Sequence, residues 1–196
     1  MLLLTITALL NGFSWAAEYT IDPDHSQVIF KVKHLGISTV TGRFEKLSGA
    51  FEFDPQNPAG AKARASIETA SINTAIAKRD THLRSADFFE AGKFPAITFM
   101  SKAIKSTKDG KFIMSGDLTM HGVTRSVELQ VELGGVIKDP WGNQRAAFTG
   151  STTINRKDFG LTWNKAMETG GLVVGEEVKI SLEVEGVQKP SAKARP

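Results

Sequence analysis

Apolar and polar residues alternate along most of this chain. Val127, Leu129, Val131 and Leu133 oppose Ser126, Glu128, Gln130 and Glu132 without exception. Val178, Ile180, Leu182 and Val184 oppose Glu177, Lys179, Ser181 and Glu183 in the same way. A period of two puts each set on one face of an extended strand. The pattern recurs in His25–Leu35, with Val28, Phe30, Val32 and His34 on one side, and in Thr41–Asp54, Lys62–Thr69, Ala96–Lys105, Phe112–Met120 and Arg145–Asn155. In Thr41–Asp54 the phase changes between Phe44 and Leu47, with Gly49 close by, which predicts a bulge or kink. Turn-forming pairs such as Asp109-Gly110 separate the strands. About eight strands with short connections predict an all-β antiparallel meander, either closed into a barrel or folded as a sandwich.

One stretch departs from this period. In Asn73–Phe94, Ile76, Leu83 and the Phe88/Phe89 pair recur near a helical spacing. Asn73 and Thr74 are candidate N-caps, Asp80 and Arg84 stand four apart, and Gly92 and Pro95 mark the exit. One charged helix over about 74–89 is therefore predicted to cap the β structure.

Eight strands is the size at which a barrel either fills with its own side chains or holds one small ligand. The inward set includes Ala63, Ala65, Gly116, Gly150 and Thr152, which are small, and Met114 and Met120, which are adaptable. These favour an internal cavity over a lumen packed solid by phenylalanines. Strand parity nominates Val28, Phe30, Val32, Phe51, Ile67, Phe99, Met114, Leu129, Phe148 and Ile180 as its lining.

The 196 residues suffice for one domain with a real core. The net charge of +3 is small, and no Lys/Arg run exceeds two, which argues against nucleic acid as a partner. The chain has no cysteine, so disulfides, thiolate nucleophiles and thiolate metal sites are excluded together. Leu2–Leu10 is an apolar run of signal-peptide length, and Ser14-Trp15-Ala16 fits a signal-peptidase site, although no basic residue precedes the run. We expect a leader at 1–16, a mature domain at 17–188, a polar tail at 189–196, and export to a periplasm.

The four histidines, His25, His34, His82 and His121, lack the spacings that build a metal site on one helix or strand. No Gly-x-Ser-x-Gly elbow occurs. Asp158-Phe159-Gly160 matches a kinase tripeptide without the rest of the kinase set. No catalytic or metal-binding residue is assigned, and the chain reads as a binding protein rather than an enzyme. The sharper feature is the helical cluster Lys78, Arg79, His82 and Arg84. Arginine suits a phosphate or carboxylate because its fork bonds bidentately. Arg79, His82 and Arg84, with His34, are candidates to hold a polar head group.

Five further motifs stand along the chain: Asp24-His25-Ser26-x-Val28-x-Phe30, His34-Leu35-Gly36-Ile37-Ser38, Gly42-x-Phe44, Arg79-Asp80-x-His82-Leu83-Arg84-Ser85-x-Asp87-Phe88-Phe89, and Gly116–Thr124. Together with Asp158-Phe159-Gly160 they resemble the YceI-like family of exported lipid-binding proteins. The resemblance spans Glu18–Gln188. It implies an extended lipocalin-like barrel whose tunnel holds a polyisoprenoid, quinone-like or polyprenyl phosphate, or a similar long-chain amphiphile, often in a homodimer. The implied partners are that lipid and a transient membrane or delivery contact. No cofactor is expected beyond the bound lipid. The alternatives are a stress-related binding protein for fatty-acid amides or other hydrophobic small molecules, and, less favoured, an enzyme acting on an isoprenoid. An isoprene unit buries hydrocarbon worth about 4 kcal/mol gross, so two or three units would exceed the ~8 kcal/mol of micromolar binding before ordering costs. Tail burial should therefore dominate affinity.

Overall fold

The computed structural model describes residues 16–107, 110–168 and 170–190. The expected leader, apart from Ala16, and tail residues 191–196 lie outside the described residues.

The strands are β1 (Ala17–Ile21), β2 (Gln27–His34), β3 (Ser38–Phe44), β4 (Leu47–Phe53), β5 (Lys62–Glu68), β6 (Ile72–Asn73), β7 (Ala96–Ser106), β8 (Lys111–Met120), β9 (Val123–Lys138), β10 (Gln144–Asn155) and β11 (Val174–Gln188). They form one antiparallel sheet in the order β1-β4-β5-β7-β8-β9-β10-β11, which closes through a β1–β11 pairing. The ring is an eight-stranded barrel. The remaining strands extend three of its members. β1 and β2 lie end to end along β11, at Ile21↔Gly186 and Gln27↔Glu183. β3 and β4 likewise run together beside them, and β5 is continued by β6.

Each interruption is bridged by hydrogen bonds, as a break inside a closed sheet requires. Between β1 and β2, Asp22 N and Ser26 Oγ donate to the Glu185 carbonyl, and Glu185 N donates back to Ser26 Oγ. Between β3 and β4, Glu45 N donates to the Ser71 carbonyl and Lys46 N to Ser71 Oγ. The phase change seen between Phe44 and Leu47 is this break. A further register shift falls between Ala147 and Phe148 on β10.

Helix α1 (Ala77–Arg84) is shorter than the predicted 74–89. Ala75 takes a left-handed conformation at φ 64°, which blocks the helix from starting earlier. Ile76 caps it without a side-chain bond and is exposed rather than packed. Asn73 instead accepts from Ala75 N, and Thr74 gives both its N–H and its hydroxyl to Asp80. The expected Asp80–Arg84 pair is replaced by two separate anchors. Asp80 is buried on Thr74, and Arg84 donates to the Ala70 and Ile72 carbonyls at 2.7 Å each. Turns after Ser85 bring Phe89 onto Phe44, edge to face at 5.8 Å.

The main buried cluster runs along the barrel and includes Tyr19, Ile21, Phe51 and Phe53 at the end away from α1. Near α1, Phe44, Ile72, Ile97, Met120, Ile154, Phe159 and Leu161 are buried together, with Phe30 and Leu83 against them. Beyond them, Phe112, Leu129 and Val131 form a second cluster. At the far end the first tail residue is held: Lys189 N donates to the Glu18 carbonyl and Lys189 Nζ to Glu18 Oε1.

Candidate functional site: an apolar cavity

A cavity of about 120 Å³ occupies the barrel half away from α1. Its wall comes from β4, β5, β7, β8, β9, β10 and β11, with Ile21 at the end of β1. Pro58, in the turn Pro58–Gly60, and Ala61 also line it. Five of the ten residues nominated from parity line it: Phe51, Phe99, Met114, Leu129 and Phe148. The other five do not. Val28, Phe30, Ile67 and Ile180 pack in the core cluster, and Val32 is half-buried near the end of β2. Parity identifies the inward face of each strand but not the depth at which the filled core ends.

The same limit explains the residues that parity missed. Phe53, Phe112, Val131 and Leu182 also line the cavity. Each lies two positions from a nominated residue and so on the same face. Ile104 lines it as well, and was hidden by the register shift between Ser101 and Ala103 on β7. Glu52, Lys62 and Arg64 also contribute to the wall. They pair on the outer surface, Lys62 with Glu52 at 3.2 Å and Arg64 with Glu18 at 3.1 Å.

None of the four head-group candidates lines the cavity. Arg79 Nε donates to Thr74 Oγ1 at 2.7 Å and its Nη2 to the Thr74 carbonyl at 2.8 Å. Arg84 holds the two carbonyls described above. His82 Nε2 lies 2.7 Å from Asp87 Oδ2, and its ring meets Phe88 and Trp163 edge to face. His34 ends β2, opposite Ser38. Both forks that sequence offered to an anion are thus engaged within the protein, Arg84 by the Ala70 and Ile72 carbonyls and Arg79 by the hydroxyl and carbonyl of Thr74.

Among the described residues, Asp22, His25 and Glu185 form a group whose ligand atoms could converge on a metal. The protein's own cation stands among them. Arg145 Nη1 is 2.9 Å from Asp22 Oδ2 and 2.5 Å from Glu185 Oε1, while its Nε is 2.8 Å from Asp139 Oδ2. Hydrogen bonds from His25 and Arg145 hold Asp22 down to about 2, and Arg145 holds Asp139 down to about 2. Asp22 in turn raises His25 above its ordinary value. The Arg145 guanidinium supplies the positive charge that Asp22 and Glu185 would otherwise offer a metal, so we read the cluster as an ion network over the β1–β2 break. His121 completes the set: its Nδ1 lies 3.2 Å from the Phe159 carbonyl, and its Nε2 is 3.9 Å from Glu90.

A closed eight-stranded barrel, one short helix and a hydrocarbon cavity at the opposite end agree with a family model, the YceI-like domain, which matches residues 19–186. The chain belongs to the YceI-like family. A UPF0312 protein of Shewanella sp. (strain MR-7) is 39% identical over 192 residues, covering 94% of this chain and 97% of the relative. Among solved YceI-like structures, the Campylobacter jejuni YceI protein is 35% identical with a TM-score of 0.69, over 81% of this chain and 90% of that one. A polyisoprenoid binding domain from Saccharophagus degradans, implicated in plant cell wall breakdown, is 20% identical with a TM-score of 0.65. It covers 89% of this chain and 99% of that one, and at this identity it supports the fold alone.

Proposed function

We propose that this YceI-like protein binds a polyisoprenoid or similar long-chain amphiphile and carries or sequesters it, without catalysis, in the periplasm after removal of residues 1–16. The carrying observation is the cavity: largely hydrocarbon walls around about 120 Å³ inside the barrel. A dry cavity of ~150 Å³ in another protein accepts benzene. As it stands, the space here suits roughly one isoprene unit. A longer tail needs side chains to turn aside, and Met114 with the phenylalanines of the wall can do so with little rearrangement of the backbone. A polyisoprenoid is also what the Saccharophagus degradans domain of this fold is named for binding. A head group would stay outside, where Lys62 and Arg64 already meet the cavity wall.

The experiment is native mass spectrometry of protein purified from its host, followed by delipidation and titration with a quinone and a polyprenyl phosphate. A co-purified or re-acquired isoprenoid, one per chain, is expected. Apo spectra throughout, with neither probe taken up, would overturn the proposal. N-terminal sequencing of the exported protein should begin at Ala17.

A further inference from the structure

Two phenylalanine rings that wall the cavity rest on glycines of neighbouring strands. A Cβ at Gly186 would stand 2.5 Å from Phe51 Cε1 and 2.6 Å from its Cζ. A Cβ at Gly116 would stand 2.5 Å from Phe99 Cζ and 2.5 Å from the Met100 carbonyl oxygen. Both glycines are buried and share strand faces with lining residues, Gly186 with Val184 and Gly116 with Met114. Neither glycine lines the cavity, because the rings cover them. Phe51 is held on this seat from both sides, stacked on Tyr19 at 5.0 Å and met edge-on by Phe148 at 5.4 Å.

We infer that Gly186 and Gly116 are specificity determinants: by seating the Phe51 and Phe99 rings against the wall, they give the cavity the width a methyl-branched isoprenoid tail requires. Any side chain at either glycine displaces a ring. The added Cβ is also hemmed in by Tyr19 Cβ at 3.0 Å for Gly186 and by the Met100 carbonyl oxygen for Gly116, so the ring gives way into the lumen. A straight acyl chain is thinner than an isoprenoid of the same carbon number and tolerates the narrowing better. Gly42 provides an internal comparison. A Cβ there would stand 2.3 Å from Phe30 Cζ, the same contact, but Phe30 does not line the cavity. Strain alone would make all three glycines equivalent; control of the bore separates Gly186 and Gly116 from Gly42.

This inference rests on the lipid-binding reading for its ligand, so the test has one arm that does not. Xenon binding is followed by ¹²⁹Xe NMR, and uptake of a C15 isoprenoid alcohol is compared with that of a C15 straight-chain alcohol. Gly186→Ala is the main variant, since it meets side chains rather than backbone. It should lower isoprenoid affinity on the order of tenfold, because each excluded methylene costs about fourfold. It should lower straight-chain affinity less, and it should weaken the xenon signal. Gly186→Ala combined with Phe51→Leu should restore all three. Gly42→Ala should reduce thermal stability and leave all three unchanged. Equal losses for both alcohols, no rescue by Phe51→Leu, or the same loss from Gly42→Ala would overturn the inference. If wild type takes up xenon with the predicted variant pattern but neither alcohol, the lipid reading fails and control of the bore stands. If wild type takes up an alcohol but no xenon, control of the bore fails and the lipid reading stands; if it takes up neither xenon nor alcohol, both fail.

Discussion

At the scale of single residues, Arg79 and Arg84 act on the protein's own backbone, whereas Arg145 acts on carboxylates. Arg84 donates to the carbonyls of Ala70, in the turn between β5 and β6, and of Ile72, the first residue of β6. Arg84→Ala should therefore lower stability by about 1–3 kcal/mol in urea unfolding and leave ligand affinity unchanged. A head-group role would show the reverse. The Arg145 network gives a pH signature. Asp22 and Asp139 are depressed from 3.8 to about 2, so the stability they add is complete above about pH 4 and lost as pH falls through 2. His25 is raised above 6.5, so its share is complete below that pH and lost as pH rises through its folded value. The melting-temperature gap between wild type and Asp22→Asn should thus be widest between about pH 4 and 6.5 and narrow on both sides. In a His25→Ala background the narrowing at higher pH should disappear.

At the scale of elements, the sheet and the helix differ in how much of them the sequence discloses. Strands such as β9 and β11 are half-buried, and their alternation is a direct image of two environments. The breaks within the long strands were visible as a phase change at Phe44–Leu47, but their bridging through Ser71 and Ser26 was not, because those partners are remote in sequence. The α1 segment misled for a specific reason. Ile76 and Phe89 share a helical spacing, yet one is exposed and the other reaches Phe44 through turns. Phe30 and Phe51 are equally inward by parity, and only the three-dimensional packing shows that one faces a filled core and the other a void. Gly49, singled out near the kink, has a sharper role. A Cβ there would stand 2.2 Å from the Arg64 carbonyl oxygen and 2.9 Å from Ala65 Cα, where β4 lies against β5. Backbone cannot yield as a side-chain tip can. Gly49→Ala should destabilise by about 2–3 kcal/mol, read as a lower urea midpoint with an unchanged slope.

At the scale of the whole molecule, the void has to be reconciled with the absence of any covalent staple. With no cysteine, the chain depends on packing for its stability. Cavities cost roughly 24 cal/mol per Å³, so about 120 Å³ forgoes on the order of 3 kcal/mol, a large share of a typical folding free energy. One half of the barrel shows that the same architecture fills without difficulty: Phe44, Phe89 and Phe30 close it. Leaving the other half open is therefore a choice between stability and occupancy, and the two can be measured against each other. Val131 lines the void from β9, and its replacement by phenylalanine adds bulk where the space already exists. Val131→Phe should raise the melting temperature of the delipidated protein by a few degrees, in line with cavity-filling changes worth about 0.5–2 kcal/mol. The same change should reduce isoprenoid uptake and remove the further stabilisation that saturating ligand gives wild type. A variant that melts higher yet binds as well would mean that the void is a packing defect and that the ligand lies elsewhere.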